Sequence, residues 1–309
     1  MSRHARLRIV QPGPLALVED LGRPGLAAVG VGVSGALDRG ALRLANRLVG
    51  NDEDLAGLEL LVGGFEARLD GDAPVWFAVT GAPGAVLLDG RPVDAFAAVR
   101  AEPGQTILIA PAVSGVRRVL AVRGGIDVDA VLGSRSRDTL SGIGPEPLSA
   151  GDVLPVGPAP VTGVPALDFL PVVAAPDGSG GPVEVRAHRG PRADWFTDTA
   201  LEVFFAVPWR VSAQTDRVGA RLDPPRIPAH AAGVHPHATP LLERAVTAEL
   251  PSEPMVAGSV QVSPDGRPTV LLADHPVTGG YPVIAVVADA DLDRFAQLRP
   301  GDAVLFRHA

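Results

Sequence analysis

Short apolar runs, cut by glycine, proline and aspartate, occupy almost the whole chain. Val260 and Val262 alternate with Gln261 and Ser263, the period of two expected of a half-buried strand. Residues 269–273 and 283–287 are continuous β-branched and apolar runs of strand length. Comparable runs at 6–10, 15–18, 58–62, 75–80, 85–88, 106–109, 119–122 and 209–211 each predict a strand. One segment follows the helical period instead. Asp38 is placed to cap a helix whose Ala41, Leu42, Ala45, Leu48 and Val49 share a face, with Gly50 as its stop. A second short helix is expected within 194–205. Strands this short and this evenly punctuated predict a mainly β fold, a barrel or sandwich with a few short helices.

A faint internal echo points to two similar halves. An Asp-containing stretch leads to a Gly-Asp turn feeding a strand at 125–156 and again at 288–306, and EPGQTILI (102–109) repeats the turn-to-strand piece alone. The expected domains are 1–160 and 183–309, joined by a Pro/Gly/Ala-rich linker at 161–182. Residues 223–240 form a Pro/His loop with no predicted element.

The loop at 274–282 is far more polar than the strands flanking it. Its functional reading is an oxyanion or phosphate cradle: N–H groups near Gly279 and Gly280, Thr278 as donor, Asp274 as base or orienter, and Tyr281 as a further contact. Its structural reading is a tight β-connection whose glycines adopt positive φ. Asp216, Arg217 and Arg221 could grip a carboxylate or phosphoryl group in a bidentate way, or close a turn with a surface ion pair. Gln261 joins the candidate substrate contacts. In the first half the candidates are Ser34, Gly35 and Arg135, the last attracting an anionic substrate or forming an ion-paired corner. Asn46, two turns on from the Asp38 cap, is expected to hydrogen-bond an exposed loop. Ser34 does not sit in a nucleophile elbow, since position 36 is alanine. His230, His235 and His237 lie in a Pro-rich stretch without a regularly spaced carboxylate, so no metal is expected.

Composition narrows the chemistry. A net charge of −8 argues against nucleic acid as a partner, and no apolar run approaches the roughly 20 residues of a membrane-spanning helix. A cytoplasmic protein is therefore expected. There is no cysteine, and all 27 basic residues are arginine. The chain can carry neither a thiolate nucleophile nor biotin on a lysine, and it has no phosphate-binding lysine.

Several motifs occur in order: VEDLGRPG (18–25), SGALDRGALRLANRLVGN (34–51), VRGGIDVDAVLGSRSRD (122–138), GPRADWF (190–196), TDRVGARL (215–222), SVQVSPDGRPTVLLAD (259–274), TGGYP (278–282) and QLRPGD (297–302). Together they resemble the allophanate hydrolase subunit 2 family. That family comprises biotin-dependent carboxyltransferase domains of urea amidolyase type and the KipA-like C components of 5-oxoprolinase. The resemblance implies two cyclophilin-like β-barrels. It also implies the C component of a 5-oxoprolinase, using ATP with Mg at the level of the complex to open 5-oxo-L-proline to L-glutamate. The implied partners are a KipI-like B component of that enzyme and possibly its A component. One alternative is a carboxyltransferase half-subunit moving a carboxyl group to urea or a related amide from carboxybiotin carried by another chain. The other is a non-catalytic, KipA-like regulatory binding protein. The pattern departs from the family at Ala220, where tyrosine is usual, at His275-Pro276-Val277, where many members have Arg-Gln-Thr, and in a shorter loop after Asp138.

Overall fold

The computed structural model describes residues 5–166, 181–224 and 242–309. Contact density divides the chain into two units, 1–28 with 33–177 and 29–32 with 178–309. Most of the expected linker, and the Pro/His loop with His230, His235 and His237, fall outside the described residues. Among those described, no helix is long and apolar enough to cross a membrane.

The first unit contains β1 (Ala5–Gln11), β2 (Ala16–Glu19), α1 (Arg39–Leu48), β3 (Gly57–Leu61), β4 (Phe65–Gly71), β5 (Val75–Gly81), β6 (Val86–Leu88), β7 (Arg91–Val93), β8 (Val99–Ala101), β9 (Thr106–Ile109), β10 (Arg117–Val122) and β11 (Val153–Pro155). They form a six-stranded sheet, β11-β1-β4-β9-β6-β7, and a five-stranded one, β2-β3-β10-β5-β8. Alternate residues of both sheets, among them Leu7, Phe65, Leu69, Phe77, Ile107 and Leu120, meet in one core. The opposite face of the second sheet offers Ala78, Val119 and Ala121 to the apolar stripe of α1. Covered on both faces, β10 is buried at every position, so its sequence shows no alternation. Asp38 caps α1 as expected, accepting from the Ala41 N–H at 2.8 Å. Asn46 differs from expectation: it is fully buried. Its amide donates to the Leu55 carbonyl at 2.7 Å and its oxygen accepts from Asn51 at 2.9 Å, so it fixes the chain between α1 and β3. Arg118 is also buried, donating to the carbonyls of Ala85, Ala110 and Gly84. Burial pushes its guanidinium down to about 10, which leaves it protonated at neutral pH.

The second unit contains β12 (Val183–Arg189), α2 (Asp198–Ala206), β13 (Trp209–Val211), β14 (Gly219–Asp223), β15 (Glu253–Pro254), β16 (Ser259–Val262), β17 (Pro268–Leu271), β18 (Thr278–Gly279), β19 (Val283–Val287) and β20 (Ala303–His308). Seven of these strands close a barrel in the order β12-β19-β16-β17-β14-β13-β20, while β15 and β18 form a separate two-stranded ribbon. β12 and β20 run parallel. Closure leaves no edge strand in the barrel to template aggregation. Thr197 caps α2 through the Ala200 N–H at 3.1 Å. Phe204 of α2 stacks on Phe306 of β20 with ring centroids 4.4 Å apart. The fold is thus mainly β with a few short helices, as the residue pattern predicts.

The echo in the sequence corresponds to a repeated turn. At 102–105, 149–152 and 299–302 the fourth residue's N–H donates to the first residue's carbonyl. Its side chain, Gln105, Asp152 or Asp302, accepts in return from the first N–H at 2.8 Å. The third residue is a glycine with φ of 87°, 97° and 95° respectively, the left-handed position of a type II turn. These turns feed β9, β11 and β20.

Candidate functional site

Most of the predicted site residues converge on one side of the second unit, where the β13–β14 turn, β16, β17 and the loop leading to β19 come together. The turn is built by Asp216, whose Oδ1 accepts from the N–H groups of Val218 at 2.8 Å and Gly219 at 3.1 Å. That is an Asx turn, and it leaves the Asp216 carboxylate exposed while directing Arg217 inward. Arg217 meets Asp274 in a two-pronged ion pair, Nε to Oδ2 at 2.8 Å and Nη2 to Oδ1 at 3.0 Å. The Asp274 N–H donates to the Arg217 carbonyl at 2.9 Å. Their side chains are 3% and 0% exposed. These two residues, read from the sequence as an anion grip and as a base or orienter, are turned towards each other. The geometry suits them to holding the turn against the residues after β17, and Asp216 to shaping the turn.

Beside this lock opens a cavity of about 610 Å³, whose wall includes Arg221, Gln261, Tyr281, Gln214, Thr269 and Pro276. Arg221 reaches it from β14 on the exposed face of the strand, and its Nη1 donates to the Gln214 Oε1 at 3.0 Å. Among the described residues the only hydrogen-bond partner of its guanidinium is this neutral amide, which leaves further N–H donors over. A smaller cavity of about 490 Å³ shares Arg221, Gln214 and Thr269 and adds Asp216. Gln261 is placed by an irregularity in the β16–β19 ladder, where the register passes from Val260↔Ala285 to Gln261↔Val283. An extra residue at such a point re-aims neighbouring side chains.

The structural reading of the 274–282 loop, a connection whose glycines adopt positive φ, does not hold. Neither Gly279 nor Gly280 has positive φ. Gly279 instead leaves room, because a Cβ there would overlap the side-chain amide of Gln261. Thr278 and Gly279 form β18, paired with Pro254 and Glu253, and the Met255 N–H donates to the Val277 carbonyl at 2.9 Å. Thr278 and Gly280 are exposed, and Tyr281 is 47% exposed at the cavity wall. His275 is buried, its Nδ1 2.8 Å from the Pro276 carbonyl oxygen.

Ser34, Gly35 and Arg135 belong to the first unit, where each has a structural task. Ser34 has φ 55° and donates from Oγ to the Arg137 carbonyl at 3.1 Å. Gly35 has φ 92°, and a Cβ there would lie 2.8 Å from the backbone of Leu21 and Gly22. Arg135 donates to Asp127 at 2.8 Å and to the Val128 carbonyl at 2.7 Å. The organising group nearby is Asp20, whose buried carboxylate accepts from Ser134 and Ser136 hydroxyls and from the N–H groups of Gly22 and Arg135, all at 2.6–2.7 Å. The matching of VEDLGRPG to GSRSRD is therefore a joint between distant segments. Sequence reasoning misses Gln214 and Thr269, ordinary polar residues whose spacing carries no signal. It also misses Arg192, which stands in a motif with no role assigned to it.

A family model described as carboxyltransferase domain, subdomain A and B, matches residues 29–308. The C component of 5-oxoprolinase from Escherichia coli is 34% identical over 303 residues, covering 97% of this chain and 90% of that protein. The crystal structure of TTHA0988 superposes with a TM-score of 0.79 at 34% identity, covering 99% of this chain and 57% of that one. The Kluyveromyces lactis urea amidolyase gives a TM-score of 0.83 at 28% identity, covering 100% of this chain but 19% of that one. By the extent of the family match and the near end-to-end similarity, this chain belongs to the carboxyltransferase domain family, subdomains A and B.

Proposed function

We propose that this chain is the C component of an ATP-dependent 5-oxoprolinase and helps convert 5-oxo-L-proline to L-glutamate with the A and B components. The observation that carries the reading is Arg221, an exposed guanidinium bonded among the described residues only to a neutral amide, at the wall of a cavity of about 610 Å³ beside Gln261 and Tyr281. 5-Oxoproline is a small ring bearing one carboxylate and one amide. A guanidinium suits the first, and a carboxamide and a phenol suit the second. Similarity to the C component of a 5-oxoprolinase over 97% of the chain supports the same substrate.

The chemistry asks for positioning and charge stabilisation. A lactam carbonyl is a poor electrophile until its oxygen carries a phosphoryl group, and ATP with Mg supplies that group at the level of the complex. Water then adds to the carbon, the C–N bond breaks to free the amine and leave an acyl phosphate, and a second water displaces phosphate to give the carboxylate of glutamate. In this chain Arg221 holds the substrate carboxylate, while Gln261 and Tyr281 orient the ring. The Arg217–Asp274 pair keeps the walls of the cavity in place. With no lysine in the sequence, the cationic donors on offer here are arginines, and the chain by itself is inactive. This role puts the protein in the cytoplasm, where ATP is available.

Reconstitution tests it. The complex with the A and B components should release glutamate and hydrolyse ATP in the presence of 5-oxoproline, and the lone chain should do neither. Arg221→Gln in the complex should raise KM for 5-oxoproline about 10- to 100-fold, as expected for one charged hydrogen bond of ~1.5–3 kcal/mol. Full activity of the lone chain, or an unchanged KM in that variant, would refute the assignment. The second reading, carboxyl transfer from carboxybiotin on another chain to urea, is favoured by the likeness to urea amidolyase. Urea has no carboxylate, so a urea-dependent activity should survive Arg221→Gln.

A further inference from the structure

The GPRADWF motif has no part in the reading so far, yet its third residue meets the exit of the 277–282 loop through its backbone and reaches the middle of the loop through Glu253. The backbone of 190–192 is bound to the loop's exit: the Gly190 N–H donates to the Ile284 carbonyl at 2.8 Å and the Arg192 N–H to that of Val283 at 3.2 Å. A Cβ at Gly190 would overlap the Val283 carbonyl oxygen, so the approach requires glycine. The Arg192 side chain runs the other way. Its Nε donates to Glu253 Oε2 at 3.1 Å and its Nη2 to Glu253 Oε1. Glu253 is the residue of β15 paired with Gly279 of β18. Behind the pair, the Arg192 guanidinium lies 5.9 Å from the ring centroid of Trp195. The carbonyl of Trp195 in turn accepts from Ala245 and Val246.

We infer that Arg192 and Glu253 form a clamp that positions the Thr278–Tyr281 loop, so that Arg192 acts on the proposed reaction through the loop without touching substrate. The clamp's part in the reaction rests on the proposed function, in which that loop borders the site. Three features support it. The β15–β18 ribbon is only two residues long in each strand and is not part of the closed barrel, and so short a ribbon has little stability of its own. The ion pair is two-pronged, the geometry in which an arginine–carboxylate contact orders its partners. The hydrogen bond to Arg192 also holds the Glu253 carboxyl below the usual carboxylate range, so it stays ionised around neutral pH.

The test is amide hydrogen exchange on the full chain, followed by kinetics of the complex. Arg192→Gln and Glu253→Gln should each speed exchange in a peptide covering 276–282 about tenfold, leaving peptides over 259–262 and 303–308 unchanged. The charge-swapped double variant, Arg192→Glu with Glu253→Arg, should restore part of the protection. Unchanged exchange at 276–282, or a rise spread evenly through the barrel, would overturn the clamp, the latter because it reports general destabilisation. In the complex, KM for 5-oxoproline should rise more than kcat falls. A loosened loop with unaltered kinetics would leave the clamp standing and instead remove the loop from the proposed reaction.

Discussion

The Arg217–Asp274 pair offers the sharpest separation of a catalytic from a scaffolding role. Asp274→Asn removes the charge that balances a guanidinium only 3% exposed. Removing one charge of a buried ion pair costs about 3–5 kcal/mol, because the remaining charge, shielded from water, gives up its oppositely charged carboxylate. For a unit of this size, that corresponds to a fall in Tm of roughly 10–15 °C. Two of the three tryptophans, Trp195 and Trp209, lie in the second unit, so tryptophan fluorescence on heating reports mainly on the part disturbed. Replacing both residues, as in Arg217→Met with Asp274→Leu, removes both charges and should recover most of the lost stability. If the pair only supports the cavity, the double variant should also regain much of the activity of the complex. If either group takes part in chemistry, stability should return and activity should not. A loss below about 1 kcal/mol in Asp274→Asn would refute the reasoning from burial at its root.

Three further outcomes are expected. Gly279→Ala places a methyl group where the Gln261 amide, the end of a flexible side chain, lies; the amide must turn aside at a cost of about 0.5–1.5 kcal/mol, which should raise KM, and a wild-type KM would contradict the close approach. Leu132 is 55% exposed with φ 53°, in a turn whose next residue, Gly133, has φ 83°. Leu132→Gly should stabilise the first unit by up to about 1 kcal/mol in denaturant unfolding, since the left-handed cost of ~1–2 kcal/mol exceeds glycine's entropic penalty of ~0.5–1 kcal/mol. Asp291 receives Nε and Nη2 of Arg186, and that hydrogen bond lowers its pKa against the opposing effect of burial. A carboxylate depressed on folding stabilises fully above its unfolded value of about 4 and loses the contribution as pH falls through the folded value. Acid unfolding of Asp291→Asn should therefore show a shallower limb below about pH 4, and a superimposable one would exclude the pair from acid stability.

Helix α1 is legible because capping and periodicity are local: Asp38, the 41–42–45–48–49 stripe and Gly50 act within a few turns of one another. Strands such as Thr106–Ile109, Trp209–Val211 and Val283–Val287 are legible because short apolar runs between turn residues have few other uses. β4, with Phe65, Ala67 and Leu69 buried in alternation, and β12, with Val185 and Ala187, carry the same signal, but the charged residues between them mask it. Chemical types in the site are legible too, in the polar loop and the clustered arginines.

The sequence by itself determined the supply of parts: many short strands, one capped helix, repeated Gly-Asp turns, arginine as the sole fixed cation, and an ordered set of family motifs. Only the tertiary structure decided which arginine is locked in a buried ion pair and which is exposed. Arg217 and Arg221 stand four residues apart, yet one is sealed against Asp274, 57 residues away in the chain, and the other faces a cavity. A side chain's partner is set by which strands meet when the barrel closes. That pairing is made between residues distant in sequence, where neither spacing nor local propensity has any reach.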